Sequence, residues 1–173
     1  MNTSKRITVL IAEDHLIVRE GLCSILKTEN DIDVVGQAQN GLEAVKLAKK
    51  LHPAVVLMDI AMPRLNGLEA ARLILEEIPS TRILILSAHT EDAYVEQAIA
   101  LGAAGYFVKQ PPFLILAEAI RDAYKGNTFF SASISKRLRD QEKQHSKKIA
   151  KGILREAEVL QLLAEDGVLL TIV

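Results

Sequence analysis

The sequence predicts an α/β fold built on a parallel β-sheet that helices cover on both faces. Five short apolar segments, most of them rich in β-branched residues, have the length and composition of buried strands. Segments with helical spacing of apolar residues lie between them, so a strand followed by a helix occurs five times. The predicted strands are 7–12, 32–38, 54–58, 82–87 and 104–108.

Three of the intervening segments place their apolar residues on one helical face, as a helix packed on a sheet requires. The Lys-Gly-Asn sequence at 125–127 follows the last of them and predicts the end of that helix. The three faces are formed by Val18, Leu22, Ile25 and Leu26; by Leu68, Ala71, Leu75 and Ile78; and by Phe113, Leu116, Ala117, Ile120 and Tyr124.

The pentapeptide Asn-Gly-Leu-Glu-Ala occurs twice, at 40–44 and at 66–70. Each copy follows a predicted strand and opens a predicted helix. Asn is a favoured N-cap residue, and a Glu in the first turn suits the helix dipole. The similarity between the two segments does not extend beyond the pentapeptide, so it indicates two equivalent turns and not a repeat protein.

Composition limits the class of protein. A chain of 173 residues, 49% of them hydrophobic, can form one core with a smaller appendage, and its net charge of −1 argues against a surface coated for nucleic acid. Cys23 is the only cysteine, which excludes an internal disulfide and suits a reducing compartment. The apolar run before Glu13 is too short for a signal peptide or a membrane span. We therefore expect a cytoplasmic protein without membrane association.

Polar side chains follow four of the five predicted strands. Glu13 and Asp14 follow the first strand, Asp59 the third, Ser87 ends the fourth and Lys109 follows the fifth. The carboxyl ends of parallel strands meet at one edge of a sheet, where ligands bind in such folds. Three neighbouring carboxylates repel one another, and a hard divalent cation such as Mg²⁺ would resolve this.

A carboxylate next to Mg²⁺ can act as a nucleophile towards phosphorus, and an ammonium and a hydroxyl group could bind the oxygens of the transferred group. Taken singly, an Asp at a strand end is usually a helix cap and a Lys is usually a surface residue. The occurrence of all these groups in register at one sheet edge favours a site for phosphoryl chemistry.

Over roughly residues 5–126 the chain resembles the receiver domain of two-component response regulators. The resemblance implies a flavodoxin-like, doubly wound, five-stranded parallel sheet in the order 2-1-3-4-5, with a helical C-terminal extension. The matching motifs, in the family's order and spacing, are VLIAEDH (9–15), VVLMDIAMPRLNGLEA (55–70), ILILSAH (83–89) and GAAGYFVK (102–109).

The resemblance also implies a role for each matching residue. Asp59 would be phosphorylated by a sensor histidine kinase, and Ser87 and Lys109 would bind the phosphoryl oxygens. Tyr106 would be the switch aromatic residue that turns inward when Ser87 moves towards the phosphate; its alternative role is ordinary packing. The implied Mg²⁺ ligands are Asp14, Asp59 and the carbonyl oxygen of Ala61, with Glu13 acting mainly through a bound water.

Some residues depart from the family pattern or have no place in it. Many receivers have Pro directly after the lysine, whereas here Gln110 precedes Pro111-Pro112, which leaves the shape of that loop open. The four histidines show no metal-ligand spacing, and we interpret His15 as a loop or capping residue. Cys23 is interpreted as a small core residue.

Residues 127–152 predict a basic linker or a solvated helix, because 135–151 contains seven basic residues and two acidic ones. The segment REAEVLQLLA (155–164) is similar to the first helix of a LuxR-type helix-turn-helix domain, which implies the NarL/FixJ subfamily. The likeness ends after Asp166-Gly167, so we expect 153–173 to be a remnant of a truncated DNA-binding domain. DNA binding is then expected only of a full-length form.

The sequence thus predicts a phosphoacceptor signalling protein, with no catalysis beyond its own phosphorylation and dephosphorylation, that would control transcription in a full-length form and could form a homodimer. The alternative within signalling is a stand-alone or degenerate receiver that acts by protein contact or as a phosphate sink. A flavin or nucleotide carrier is disfavoured because the loop after the first strand is acidic. A haloacid dehalogenase-type hydrolase is disfavoured because Ala61 stands where its second acid is needed.

Overall fold

The computed structural model describes residues 6–88, 91–109, 115–130 and 132–165. Within 132–165 it describes the backbone alone at 132–133, 137–138, 141–142, 145 and 156–165. His89, the loop at 110–112 and the apolar residues 168–173 lie outside the described residues. In the described part of the chain no helix is both long and apolar enough to cross a membrane.

The first unit of the chain is a parallel sheet with helices between its strands, as the sequence predicts. The strands are β1 (Ile7–Ala12), β2 (Ile32–Ala38), β3 (Val55–Met58), β4 (Arg82–Ser87), β5 (Gly105–Val108) and β6 (Phe129–Phe130). The helices are α1 (Leu16–Lys27), α2 (Gly41–Leu51), α3 (Gly67–Glu77), α4 (Asp92–Ala100) and α5 (Leu116–Tyr124).

The sheet has the order β2-β1-β3-β4-β5-β6, and every neighbouring pair is parallel. The predicted order of the first five strands is confirmed, but the expected number of five strands is wrong. β6 has only two residues, too few for a periodic pattern, and it lies beyond the predicted receiver boundary at 126. It pairs with β5, and the Phe129 N–H donates to the carbonyl of Ala104, the residue before β5, at 2.7 Å. The Phe129 ring also stacks on Phe107, with centroids 5.1 Å apart.

Alternating side chains on the central strands supply both faces of the sheet. Val9 and Ile11 belong to the core that α1 and α5 cover, through residues such as Leu22 and Ile120. Leu10 points to the opposite face, where its side chain approaches Gly36 together with Leu47 and Leu51 of α2. All four residues of β3 are buried, as expected for a central parallel strand.

Both predicted N-caps form. The side-chain oxygen of Asn40 accepts a hydrogen bond from the backbone N–H of Glu43 at 2.9 Å, and Asn66 does the same for Glu69 at 2.9 Å. Cys23 is buried in the core, as predicted, and this burial raises the pKa of its thiol.

The described part of the second unit is helix α6 (Ala132–Glu165), 34 residues long. Residues 135–151 are helical, which is one of the two alternatives that their composition left open. The lysine and arginine side chains described at 136, 139, 143, 147, 148 and 151 are exposed. The helix continues through the expected boundary between linker and helix-turn-helix remnant at 152/153, so that boundary stays a prediction.

Candidate functional site

The first and third strands bring Glu13 and Asp59 to the same edge of the sheet. Ala12 pairs with Met58 in register, so the next residue of each strand leaves the sheet at the same level. The backbone N–H of Asp59 donates to the Ala12 carbonyl at 2.9 Å. Glu13 is 1% exposed and Asp59 is 3% exposed, so two carboxylates lie buried side by side.

The fourth and fifth strands bring Ser87 and Lys109 to this edge. Ser87 is fully buried, and its carbonyl accepts a hydrogen bond from the Lys109 backbone N–H at 2.8 Å. The Lys109 ammonium lies 2.5 Å from Glu13 Oε2 and 3.1 Å from Asp59 Oδ1. One cation therefore bridges the two buried carboxylates.

Asp14 and His15 complete the acidic edge on the solvent side. His15 Nδ1 lies 3.0 Å from Asp14 Oδ1 and 3.2 Å from Glu13 Oε1. The backbone N–H of His15 donates to the same Glu13 oxygen at 3.1 Å. His15 occupies the N-cap position of α1, as predicted, but its side chain turns to the carboxylates and makes no cap hydrogen bond.

The donor atoms of this cluster fit a divalent cation. Glu13, Asp14, His15 and Asp59 each offer one ligand atom, and these atoms lie within 4.8 Å of one another. Two buried oxygens, Glu13 Oε2 and Asp14 Oδ1, accept no hydrogen bond from any described residue; the Lys109 ammonium near Glu13 Oε2 lacks hydrogen-bond geometry. Lys109 lies close to the first oxygen and His15 close to the second, but neither contact is a hydrogen bond, and a divalent cation would satisfy both oxygens.

The loop after Asp59 is held by close backbone contacts. The Gly67 N–H donates to the Ile60 carbonyl at 2.9 Å, and the Met62 N–H donates to the same carbonyl at 3.0 Å. Ala61, whose carbonyl was predicted as a ligand, lies exposed in this loop.

Arg19 is a site residue that the sequence analysis missed. This α1 residue is 8% exposed, and its guanidinium donates to the Glu13 carbonyl at 2.6 Å. This hydrogen bond holds the backbone just after β1, where Glu13 and Asp14 lie. Its signal in the sequence is a lone arginine between Val18 and Leu22 on the otherwise apolar face of α1.

Tyr106 lies in β5 and is fully buried, opposite Ile85 in the register with β4 and Phe130 in the register with β6. Its ring therefore lies inside the protein in this structure. All the residues predicted for the site (Glu13, Asp14, Asp59, Ala61, Ser87, Tyr106 and Lys109) fall within the described residues.

Comparison with known proteins identifies the family of the chain. The family model of the response regulator receiver domain matches residues 9–121. The response regulator protein VraR of Staphylococcus saprophyticus is 35% identical over 159 residues, which cover 92% of this chain and 76% of VraR. The transcriptional regulatory protein YdfI of Bacillus subtilis is 40% identical over 157 residues, which cover 90% of this chain and 73% of YdfI.

Solved structures agree with the sequence comparisons. A two-component response regulator of the LuxR family from Aurantimonas superposes with a TM-score of 0.75 at 30% identity, over 80% of this chain and 99% of that one. A structure of two RcsB dimers bound to two parallel DNAs gives a TM-score of 0.70 at 27% identity, over 76% of this chain and 67% of that one. The chain belongs to the response regulator receiver family, and its relatives are LuxR-type regulators of two-component systems.

Proposed function

We propose that Asp59 is the residue that accepts the phosphoryl group from a sensor histidine kinase. The observation that carries this proposal is the buried Asp59 carboxylate, held 3.1 Å from the Lys109 ammonium and beside a cluster of acidic ligand atoms. A carboxylate in such a setting can act as a nucleophile towards phosphorus. The chain is then a phosphoacceptor that catalyses only its own phosphorylation and dephosphorylation.

In the transfer step, an Asp59 carboxylate oxygen forms a bond to the phosphorus of a phosphohistidine. The phosphorus–nitrogen bond breaks, and the leaving imidazole nitrogen keeps the electron pair and takes up a proton. The product is an acyl phosphate on Asp59. The Lys109 ammonium and the Ser87 hydroxyl lie at the ends of the neighbouring strands. They would bind the oxygens of the phosphoryl group as its negative charge moves onto Asp59.

Glu13, Asp14 and Asp59 would hold Mg²⁺, with the carbonyl oxygen of Ala61 as a further ligand and Glu13 acting mainly through a water. Their carboxylate oxygens are the ligand type that Mg²⁺ prefers. When bound, the ion would neutralise charge on the phosphoryl oxygens.

Exposed apolar residues next to the cluster offer a docking surface for the kinase. Ile17 is 86% exposed and Leu16 is 56% exposed, both in the first turn of α1. Large apolar side chains exposed together often mark a contact surface. We place the kinase contact there because the phosphohistidine must come within bonding distance of Asp59.

The output of phosphorylation would be a shift between two conformations, in which Tyr106 and Ser87 move together. Self-association as a homodimer and, in a full-length form, DNA binding are the outputs that the RcsB comparison suggests. Light scattering with and without phosphorylation measures self-association; a chain that remains monomeric in both states would overturn the proposed homodimer.

We place the chain in the cytoplasm, where the single unpaired Cys23 stays reduced.

The test is intact mass after incubation with Mg²⁺ and acetyl phosphate. We expect a phosphoryl-sized gain in the parent chain and in Asp33→Asn, whose carboxylate is half exposed on β2. Asp59→Asn should show no gain, and a chelator should abolish the gain in the parent. Absence of any gain in the parent would overturn the proposal and favour a degenerate receiver that acts by protein contact.

A further inference from the structure

His15 adds a nitrogen ligand atom to the acidic cluster. Its Nδ1 atom lies within 3.2 Å of oxygens from two different carboxylates, those of Glu13 and Asp14. The position of the residue is fixed by its own backbone, because the His15 N–H donates to Glu13 Oε1 at 3.1 Å. The imidazole side chain is 70% exposed, so its other edge faces solvent.

Nδ1 lies beside the carboxylate oxygens that would bind a cation. A metal ion held by the Glu13 and Asp14 carboxylates would lie within reach of the Nδ1 lone pair. Glu13 is 1% exposed, and its Oε2 atom has the Lys109 ammonium 2.5 Å away but no hydrogen bond from the described residues. This oxygen is a buried ligand atom of the cluster, and it does not depend on His15.

We propose that His15 coordinates a divalent metal ion through Nδ1 and shifts the preference of the cluster from Mg²⁺ towards later transition metals such as Co²⁺. Mg²⁺ takes oxygen ligands almost exclusively, whereas imidazole is a good ligand for the later divalent metals. Without His15 the cluster offers only oxygen atoms. This inference rests on the proposed function, because it assigns a further ligand to the same metal site.

The experiment compares the affinities for Co²⁺ and Mg²⁺ of the whole chain and two variants by isothermal titration calorimetry. His15→Asn removes the imidazole and keeps a favourable N-cap for α1. His52→Asn is the matched control, since His52 is exposed at the end of α2 with a φ of 45°, which Asn tolerates. We expect His15→Asn to weaken Co²⁺ binding about tenfold, on the scale known for loss of a group that supports a metal site. Its Mg²⁺ binding should not weaken, and His52→Asn should resemble the parent chain in both titrations.

A spectroscopic measurement separates coordination from an indirect effect. In the Co²⁺-loaded chain, a coordinated His15 gives a strongly shifted proton resonance from a ring C–H, which does not exchange with solvent during the measurement. That resonance should be present in the parent and in His52→Asn and absent in His15→Asn. Equal losses of Co²⁺ and Mg²⁺ affinity in His15→Asn, or no shifted resonance assigned to His15, would overturn the inference.

Failure of the inference can be told apart from failure of the proposed function. If Mg²⁺ binds and Asp59 becomes phosphorylated while His15 shows no effect, only the inference is wrong. If neither metal ion binds the parent chain, both the inference and the proposed Mg²⁺ site are wrong.

Discussion

Gly67 and Asp59 approach each other so closely that no side chain fits between them. A Cβ atom built on Gly67 would lie 1.7 Å from the carbonyl oxygen of Asp59. Gly67 is the first residue of α3, so this contact joins the start of that helix to the backbone of the proposed phosphoacceptor. The position of Asp59 therefore depends on the absence of a side chain at residue 67.

Gly67→Ala should destabilise the protein, whereas Gly21→Ala should stabilise it. The new methyl group at 67 must displace the Asp59 backbone, which costs roughly 1–3 kcal/mol of the free energy of unfolding. Gly21 lies inside α1, and a Cβ there meets nothing within 4 Å, so alanine should add about 0.5–1 kcal/mol through its higher helix propensity. Urea unfolding measures both changes, and equal effects of the two substitutions would contradict this account of Gly67.

Lys109→Met should slow phosphorylation by acetyl phosphate about 100-fold, the scale seen when one preorganised donor is removed from an active site. Methionine keeps most of the length of the side chain but removes the ammonium that bridges Glu13 and Asp59. Lys49→Met is the control, because Lys49 pairs with Glu77 on the surface. The rate is measured by intact mass against time. A rate that Lys109→Met leaves unchanged would remove Lys109 from the proposed site.

Ile17→Glu should slow phosphotransfer from a phosphorylated histidine kinase by roughly tenfold or more, as for a contact residue at the centre of an interface. Phosphorylation by acetyl phosphate, which needs no docking surface, should be unchanged. Leu42→Glu is the matched control, since Leu42 is a comparably large apolar residue, 52% exposed, on α2. Equal slowing with both donors, or by both variants, would argue against docking at the start of α1.

Asp31 should contribute stability that depends on pH. The Arg121 guanidinium donates to both oxygens of Asp31, at 2.7 and 2.8 Å, and this hydrogen bonding lowers the pKa of the carboxyl. Because the folded-state pKa lies below the ordinary value of 3.8, the stabilisation is present above that value and is lost as pH falls below it. The carboxylate is half exposed, so the contribution should be less than about 1 kcal/mol.

The measurement for Asp31 is urea unfolding of the parent and Asp31→Asn as a function of pH. The variant should be less stable near pH 7, and the difference should shrink as pH falls below about 4. A difference that grows towards acidic pH would contradict the assigned direction of the pKa.

The sequence predicted much of the sheet because buried parallel strands are short, apolar and β-branched. The bounds of β1, β2 and β4 agree with the prediction, whereas β3 and β5 each begin one residue later. At Ala54 the backbone N–H donates to the Thr8 hydroxyl, which replaces a ladder hydrogen bond. The strand order came from the family likeness, since periodicity alone does not choose between parallel topologies.

The contacts of the candidate site were less accessible to sequence reasoning. The predicted ends of the strands were enough to place Glu13, Asp59, Ser87 and Lys109 at one edge of the sheet. The reason is that the register of parallel strands fixes where neighbouring strands end. The contact of His15 with the carboxylates depends on its side-chain direction at the start of α1, which no spacing rule supplies. The same holds for the hydrogen bond from Arg19 to the Glu13 carbonyl.

The most direct test of the central claim locates the phosphoryl group after transfer from a histidine kinase. Borohydride reduction converts an aspartyl phosphate to homoserine, and tryptic digestion then separates the candidate residues. The peptide at 51–64 contains Asp59 as its only acidic residue, whereas Glu13 and Asp14 lie in the peptide at 7–19. We predict homoserine at position 59 and none in the 7–19 peptide. Homoserine at position 14, or no reduced product despite a phosphorylated kinase, would contradict the assignment of Asp59.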